Sequence, residues 1–204
     1  MPRNLIFGLV AALAAALGLA TSLMLARPKA IQLVNGTLLE APRAIPDFTL
    51  SDGDGKPLTR ASLLGHYSLF FVGFTTCPDV CPTTLTTLKA VLKKLGPDTE
   101  QLQIVFLSID PERDTPARLK QYLSFFDPRI IGATGSNAEL DKLALAMSFV
   151  YAKVPGATAE TYTMDHSAAL ILIDPQAQVR AFFTPPHKAE VLAADLKTLL
   201  GNKS

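Results

Sequence analysis

The residues best suited to chemistry in this sequence are its two cysteines, Cys77 and Cys81, the only ones among 204 residues. They lie in the segment CPDVCP, residues 77–82, with three residues between them. Residues four apart share one face of a helix, with Cα atoms about 6 Å apart, a separation that a disulfide can bridge. The spacing is compatible with a structural disulfide, a thiol–disulfide redox pair or part of a metal site.

The three interpretations make different demands on the rest of the chain. A bridge that closes so short a loop would stabilise the fold by only about 2 kcal/mol, and a domain of this length rarely needs one. In a redox pair at a helix start, the dipole and free N–H groups make Cys77 the more nucleophilic thiol, although the usual redox motif has two intervening residues. In a metal site, two thiolates select Cu(I) or zinc and need a third ligand, for which imidazole is the natural choice.

The chain has three histidines that could supply this ligand. His66 precedes a predicted buried strand and is expected far from the cysteines, and His187 is expected on the surface. His166 lies in a predicted loop entering a strand, next to residues 151–162, which are expected to include a flexible loop. In an open α/β sheet, the loop that holds His166 approaches the helix carrying the cysteines. Spacing alone leaves open whether His166 is a ligand or a surface residue.

The elements that would position these residues follow from the apolar pattern. The predicted strands are 48–50, 57–58, 68–74, 102–109, 130–133, 149–154, 168–173 and 179–183, and the predicted helices are 78–95, 115–126, 136–147 and 188–200. Strands alternating with helices indicate a parallel core, to which the last hairpin adds antiparallel strands. This order predicts an α/β fold, a thioredoxin-like mixed sheet with flanking helices. Ligands of such sheets bind beyond the strands' carboxyl ends, where the turn after Phe74 holds both cysteines.

The N-terminus is expected to lie outside this domain. Leu5 to Ala26 form an uncharged run of 22 residues, 18 of them apolar, and a helix of that length rises about 33 Å, enough to cross a bilayer core. We therefore expect a signal anchor, one N-terminal transmembrane helix, in residues 1–28, with a cleaved signal peptide as the alternative. Residues 29–44 are expected to form a tether, and 45–204 the folded domain.

The charge balance of the remaining chain excludes one class of partner. Three of the 19 basic residues and none of the 18 acidic residues lie before position 30, so the rest carries 16 basic and 18 acidic residues, a net charge of −2. Nucleic-acid-binding domains normally present a basic surface. We expect no nucleic acid among the partners.

Three motifs together resemble one known family. The segments CPDVCP (77–82), DPERDTP (110–116) and DHS (165–167) resemble those of the Sco/SenC family, over roughly residues 45–200. Members are membrane-anchored thioredoxin-like proteins that help to assemble the dinuclear Cu-A centre of cytochrome c oxidase. The resemblance implies that Cys77, Cys81 and His166 bind one copper, as Cu(I) or Cu(II). Thioredoxin-like reductases usually place a cis-proline where DHS lies, and its absence favours metal handling over disulfide exchange.

The resemblance also implies a function and a place in the cell. It indicates a copper metallochaperone rather than an enzyme. Because the apolar run starts at residue 5 and leaves no room for a long transit peptide, we expect the inner membrane of a bacterium, with a single span and the domain in the periplasm. The implied partners are the copper-bearing subunit of cytochrome c oxidase and an upstream periplasmic copper donor or thiol reductase. The alternative is a thiol–disulfide reductase that uses Cys77 and Cys81 to keep the oxidase cysteines reduced. A copper sensor is a third possibility.

Four further residues of these motifs have expected roles. Asp165 could orient His166 as a hydrogen-bond partner. Asp114 and Thr115 are expected to cap the helix that follows them. Asp110 is expected either to form a turn or to face a partner.

Overall fold

The computed structural model describes residues 2–25, 31–158 and 161–201; in the first helix, the side chains at positions 3, 5, 6, 10 and 23–25 are not described. The chain divides into two compact units, Met1–Gln32 and Leu33–Ser204. The first unit contains helix α1 (Arg3–Leu25). Among the residues described, no helix meets the length and hydropathy needed to span a membrane. The predicted transmembrane helix is therefore not supported by the structure, and its last residues, 26–28, lie outside the described residues.

The second unit contains ten described strands, eight of which form one sheet. The strands are β1 (Gly36–Ala44), β2 (Thr49–Asp52), β3 (Pro57–Thr59), β4 (Tyr67–Gly73), β5 (Leu102–Ser108), β6 (Ile130–Thr134), β7 (Tyr151–Val154), β8 (Thr163–His166), β9 (Leu170–Ile173) and β10 (Gln178–Phe183). Their order in the sheet is β1-β10-β9-β4-β5-β6-β2-β3, and β7 pairs with β8 in a separate two-stranded sheet. The β4–β5 and β5–β6 pairs are parallel, and the remaining pairs are antiparallel. The predicted mixed sheet is confirmed.

The helices of this unit lie close to their predicted positions. They are α2 (Val80–Leu95), α3 (Pro116–Ser124), α4 (Asn137–Met147) and α5 (Ala189–Gly201). The apolar face of α2 is buried, and α2 packs against α5. Helix α2 begins at Val80 with Asp79 as its N-cap, two residues later than predicted. Cys77 therefore lies in the turn before α2 and Cys81 in its first turn.

The expected tether is partly wrong, because Gly36–Ala44 form strand β1 on the edge of the sheet. The strand is mostly exposed, so its sequence lacks a clear apolar alternation. The strand pairs with β10, and its start is also held by the buried carboxylate of Asp195 in α5, which accepts the backbone N–H groups of residues 34–36 at 2.6, 2.9 and 3.0 Å. A contact between positions about 160 apart cannot be read from a local pattern.

The second correction concerns the segment before the last hairpin. Tyr151–Val154 form β7, as the predicted strand 149–154 indicated, so this part of the expected flexible loop is a strand. Thr163–His166 form β8, which the apolar pattern did not predict. His166 is therefore the last residue of a strand, paired with Tyr151 in the register. Residues 159–160 of the predicted loop lie outside the described residues.

Candidate metal centre

The turn between β4 and α2 places both cysteines at the carboxyl end of a central strand. The backbone N–H of Cys77 donates to the carbonyl of Phe74 at 3.3 Å, and that of Cys81 donates to the Cys77 sulfur at 3.4 Å. Both cysteines are free; Cys77 is half-buried and Cys81 fully buried. The two thiols therefore differ in access, since only Cys77 is open to solvent.

The space for the Cys81 sulfur depends on a glycine. A Cβ atom at Gly73 would lie 2.9 Å from Cys81 Sγ and 2.8 Å from the ring of Phe106. Such distances are shorter than real Cβ contacts allow, so a residue with a side chain at position 73 would displace the sulfur or the ring. Gly73 is required here for close approach.

His166 comes from the separate hairpin and completes the cluster. Its Nε2 lies 3.7 Å from Cys81 Sγ, and the Nε2 or Nδ1 nitrogen and both sulfurs lie within 4.8 Å of one another. Its Nδ1 lies 3.0 Å from the carbonyl oxygen of Ser167. Because a carbonyl can only accept, Nδ1 carries a hydrogen, and in the neutral imidazole the lone pair of Nε2 faces the sulfur, the arrangement that a metal-binding imidazole needs.

The structure thus brings together the three side chains that the resemblance implies as ligands. Cys77, Cys81 and His166 form one group of metal-binding side chains, and their role as ligands stays a prediction. Among the described residues, neither His66 nor His187 belongs to this group. His187 is half-buried rather than on the open surface, with Nε2 3.0 Å from the carbonyl oxygen of Ala168.

The expected role of Asp165 is not what the structure shows. Its side chain is exposed, and no hydrogen bond of the described residues joins it to His166. The carbonyl of Ser167 orients the imidazole instead. Every residue has a backbone carbonyl, so the residue types in the motif could not indicate that this one accepts from His166.

Asp114 holds the loop that leads to Cys77. Thr115 caps α3 as predicted, accepting the N–H of Arg118 at 3.3 Å. Asp114 is instead fully buried and accepts from Ser108 Oγ at 2.6 Å and from Thr75 N at 2.8 Å, as well as from the Thr75 hydroxyl. The prediction of a cap was wrong for Asp114, because its carboxylate faces the interior.

Asp110 has both a backbone and a side-chain role. Its carbonyl accepts the N–H groups of Arg113 and Asp114, which forms the predicted turn. Its side chain is 2% exposed, so it does not face a partner directly. The carboxylate accepts from Arg113 Nε and from the hydroxyl of Tyr162, at 2.7 Å for the latter. The sequence pattern predicted no role at the site for Arg113 or Tyr162.

Burial dominates the electrostatics of the inner thiol. It raises the pKa of Cys81 well above its ordinary value, and the nearby Cys77 and the charge of Asp114 raise it further, against a backbone hydrogen bond at Phe74. Cys81 is therefore a neutral thiol at pH 7 in the metal-free protein. A thiophilic metal binding there must displace the proton.

The chain is similar in sequence to proteins of one known family. The SCO1/SenC family description matches residues 37–201. A Stutzerimonas stutzeri protein, named as a candidate copper-binding protein, is 37% identical over 184 residues, which cover 89% of each chain. The chain spans between 43% and 63% of the length of several mitochondrial and rickettsial relatives.

Two similar solved structures contain copper. Bradyrhizobium japonicum ScoI is 42% identical, with a TM-score of 0.70, covering 76% of this chain and 98% of that one. Yeast Sco1 is 30% identical, with a TM-score of 0.73, covering 80% and 91% respectively. The similarity confirms the predicted thioredoxin-like fold.

Proposed function

The chain belongs to the SCO1/SenC family, and from that premise we propose that it is a copper metallochaperone with Cys77, Cys81 and His166 as ligands. The observation that carries the proposal is the convergence of two sulfurs and one imidazole nitrogen within 4.8 Å. Thiolates and imidazole suit Cu(I), and the same three donors can also hold Cu(II). Relatives named for copper binding or solved with copper support the same cargo.

The number of donors favours copper over a structural zinc. Structural zinc sites have four protein ligands, whereas this group contains three among the residues that the structure describes. Cu(I) is stable with two or three soft ligands, so the set is complete for copper. The bound metal would be cargo, held tightly enough to carry but with one side open.

The unequal exposure of the ligands indicates how cargo would leave. Cys81 is fully buried, whereas Cys77 lies at the surface end of the cluster. An acceptor's ligand can approach the copper only from the open side. We infer that transfer proceeds by ligand exchange that begins at Cys77 and ends when the buried ligands Cys81 and His166 release the metal.

The acceptor in this proposal is the copper-bearing subunit of cytochrome c oxidase, since Sco family proteins are linked to assembly of that enzyme. An upstream periplasmic donor would supply the copper. Both thiols must be reduced before they can bind it, so a thiol reductase is a second upstream partner. The net charge of −2 beyond residue 30 gives no support for a nucleic-acid partner.

The proposed location is the periplasmic face of a bacterial inner membrane. The support is the sequence of Leu5 to Ala26, which has 22 residues without a charge, enough for about 33 Å of helix. Fractionation of cells expressing the full chain tests this point. A chain recovered in the soluble periplasmic fraction would contradict the anchor without touching the copper site.

Copper affinity measured by competition with a chromophoric chelator tests the binding site. Cys77→Ser, Cys81→Ser and His166→Ala should each abolish tight Cu(I) binding by the full chain. His66→Ala is the matched control, because His66 lies outside the cluster, and it should bind as the wild type does. If His166→Ala retains wild-type affinity for both copper states, the three-ligand site is wrong.

A thiol–disulfide reductase is the second candidate, favoured by the two free thiols lying within 4.8 Å of each other. It would use Cys77 for attack and Cys81 for resolution. A reduction potential in the range of thioredoxin, about −270 mV, together with weak copper affinity would favour the reductase. Tight copper binding lost in His166→Ala would favour the chaperone, because a reductase does not need the imidazole.

A further inference from the structure

The strand that carries His166 is not part of the main sheet. We call β7, β8 and their connection, residues 151–166, the His166 hairpin. Among the described residues its strands pair only with each other, whereas Cys77 and Cys81 follow the central strand β4. The distance between His166 and the cysteines therefore depends on the short connection from His166 to β9 and on the side-chain contacts that attach the hairpin to the sheet.

The most buried of these contacts is a closed group of three residues, Asp110, Arg113 and Tyr162. The Tyr162 hydroxyl donates to Asp110 Oδ1 at 2.7 Å, and Arg113 pairs with Asp110 Oδ2 through its Nε. Arg113 Nη1 donates to the Tyr162 carbonyl at 2.9 Å, and the guanidinium lies 3.7 Å from the centre of the Tyr162 ring. Each residue thus contacts the other two, and Asp110 and Tyr162 are 2% and 8% exposed.

The group joins the hairpin to the sheet edge that holds the cysteines. Asp110 follows the central strand β5, and Tyr162 immediately precedes β8. Arg113 also lies 5.9 Å from the ring centre of Phe74, which packs edge-on against the His166 ring at 6.0 Å. The three residues therefore fix the start of the strand and support the aromatic surface on which the imidazole rests.

We propose that Asp110, Arg113 and Tyr162 are positioning residues that hold His166 at ligand distance from Cys81. The inference rests on the proposed function, since it treats His166 as a ligand. Tyr162 is four residues from His166, or about 13 Å along a strand, so these residues act through β8 and do not touch the metal. Burial and the neighbouring carboxylate of Asp110 raise the pKa of Tyr162, so the hydroxyl remains a donor at neutral pH.

Two side chains of β7 also attach the hairpin to neighbouring elements, and both contacts are exposed. Lys153 pairs with Glu112 at 2.6 Å, and the Tyr151 hydroxyl donates to Asp141 at 2.7 Å. Exposed ion pairs contribute little because water screens them. A hydrogen bond to a buried carboxylate is stronger, and its loss leaves an acceptor unsatisfied. The buried group is therefore the attachment whose loss should move the hairpin.

Tyr162→Phe in the full chain tests the proposal because it removes one oxygen and keeps the ring under Arg113. Tyr67→Phe is the matched control, since Tyr67 donates to the Leu199 carbonyl at 3.3 Å, away from the hairpin. The first measurement is amide hydrogen exchange of residues 163–167 without metal. The second is Cu(I) affinity, in the wild type and in a His166→Ala background. Asp110→Asn provides a second variant if Tyr162→Phe folds poorly.

We expect faster exchange in residues 163–167 for Tyr162→Phe and not for Tyr67→Phe. Copper affinity should fall by about tenfold, the lower end of what outer contacts of a metal ligand contribute. In the His166→Ala background only the residual Cu(I) affinity of the two cysteines is measured, and Tyr162→Phe should not lower it further, because a positioning residue acts through the ligand it positions. A general loss of stability would persist in both backgrounds.

Failure of the positioning role and failure of the proposed function give different results. If the wild type binds copper tightly and Tyr162→Phe matches it in affinity and exchange, the positioning role is wrong and the proposed function stands. Equal copper losses from Tyr162→Phe in the wild-type and His166→Ala backgrounds would also overturn the positioning role. If the wild type itself does not bind copper, the proposed function fails and the inference falls with it.

Discussion

The Nε2 atom of His166 lies 3.7 Å from the sulfur of Cys81, although 85 positions separate the two residues in the chain. Cys81 is fixed by the first turn of α2 and by packing against β4. His166 is fixed by a hairpin outside the main sheet and by the carbonyl of Ser167. The site therefore exists only where two segments distant in the sequence meet, and changes on either side should disturb it.

The variant Gly73→Ala tests the segment that holds Cys81. The new methyl would lie 2.9 Å from Cys81 Sγ and 2.8 Å from the Phe106 ring, so we expect a loss of about 1–3 kcal/mol in stability from overpacking. The displaced sulfur should also lower Cu(I) affinity. Gly201→Ala is the control, because nothing lies within 4 Å of a Cβ there. Wild-type stability and Cu(I) affinity in Gly73→Ala would show that the space around the Cys81 sulfur is not tightly packed.

Asp114→Asn tests the loop before Cys77. The amide cannot accept from all of the Ser108 and Thr75 donors that the carboxylate serves, and we expect a loss of about 2–3 kcal/mol in the free energy of unfolding. Urea unfolding of the metal-free protein measures it. Asp165→Asn, at an exposed position, should stay within about 0.5 kcal/mol of the wild type. Equal effects at the two positions would refute the role given to Asp114.

The fold and the site were predictable to different degrees. The buried strands β4 and β5 and the apolar face of α2 were predicted because continuous or periodic apolar residues report burial directly. The cysteine turn followed from its place after a buried strand. The ligand role of His166 came from a resemblance to a family, since one loop histidine has no distinctive local pattern.

The missed features share one physical cause. Strand β1 is held by Asp195, strand β8 by Tyr162 and the cysteine loop by Asp114. In each case a buried polar group joins segments that are distant in sequence. Local propensity and periodicity describe a residue's neighbours along the chain, so they cannot indicate such a bond. An isolated aspartate in a turn motif looks like a cap until the fold shows what it faces.

The pH dependence of stability should report the burial of Cys81. Its raised pKa keeps the thiol protonated in the folded state, while in the unfolded chain it ionises near its ordinary value of 9.0. Raising the pH therefore favours unfolding. The contribution of the protonated Cys81 thiol to the free energy of unfolding is complete below about pH 9 and is lost progressively above it. Urea unfolding of metal-free protein between about pH 7 and pH 9.5 measures this. Burial also raises the pKa of the tyrosines, which add to the decline at the upper end of this range.

Cys81→Ala is the reference for that experiment. It should lack the component of the alkaline decline that belongs to this thiol, whatever its stability at pH 7. Parallel pH profiles for the wild type and Cys81→Ala would mean that the thiol ionises equally easily in both states.

Asp195→Asn tests what holds the edge strand. The carboxylate accepts three consecutive N–H groups, from residues 34–36, and replacing one oxygen with a donor should cost about 3 kcal/mol. Amide exchange should quicken first in Gly36–Ala44. Glu190→Gln, in the same helix but in an exposed ion pair with Lys94, should leave that exchange unchanged. Protection of β1 that survives Asp195→Asn would assign its stability to pairing with β10 instead.

The measurement that tests the central claim most directly is copper transfer. Full-length chain loaded with Cu(I) is mixed with the metal-free copper domain of the oxidase subunit, whose cysteines have been reduced, and the copper in each protein is quantified after separation. We predict that copper moves to the oxidase domain and that both cysteines of the donor are left as free thiols. In a parallel mixture of the metal-free, reduced chain with the oxidised acceptor domain, reduction of the acceptor's disulfide with formation of a Cys77–Cys81 disulfide on this chain would identify a thiol–disulfide reductase. Copper retained by this chain in the mixture with the reduced acceptor would contradict the chaperone.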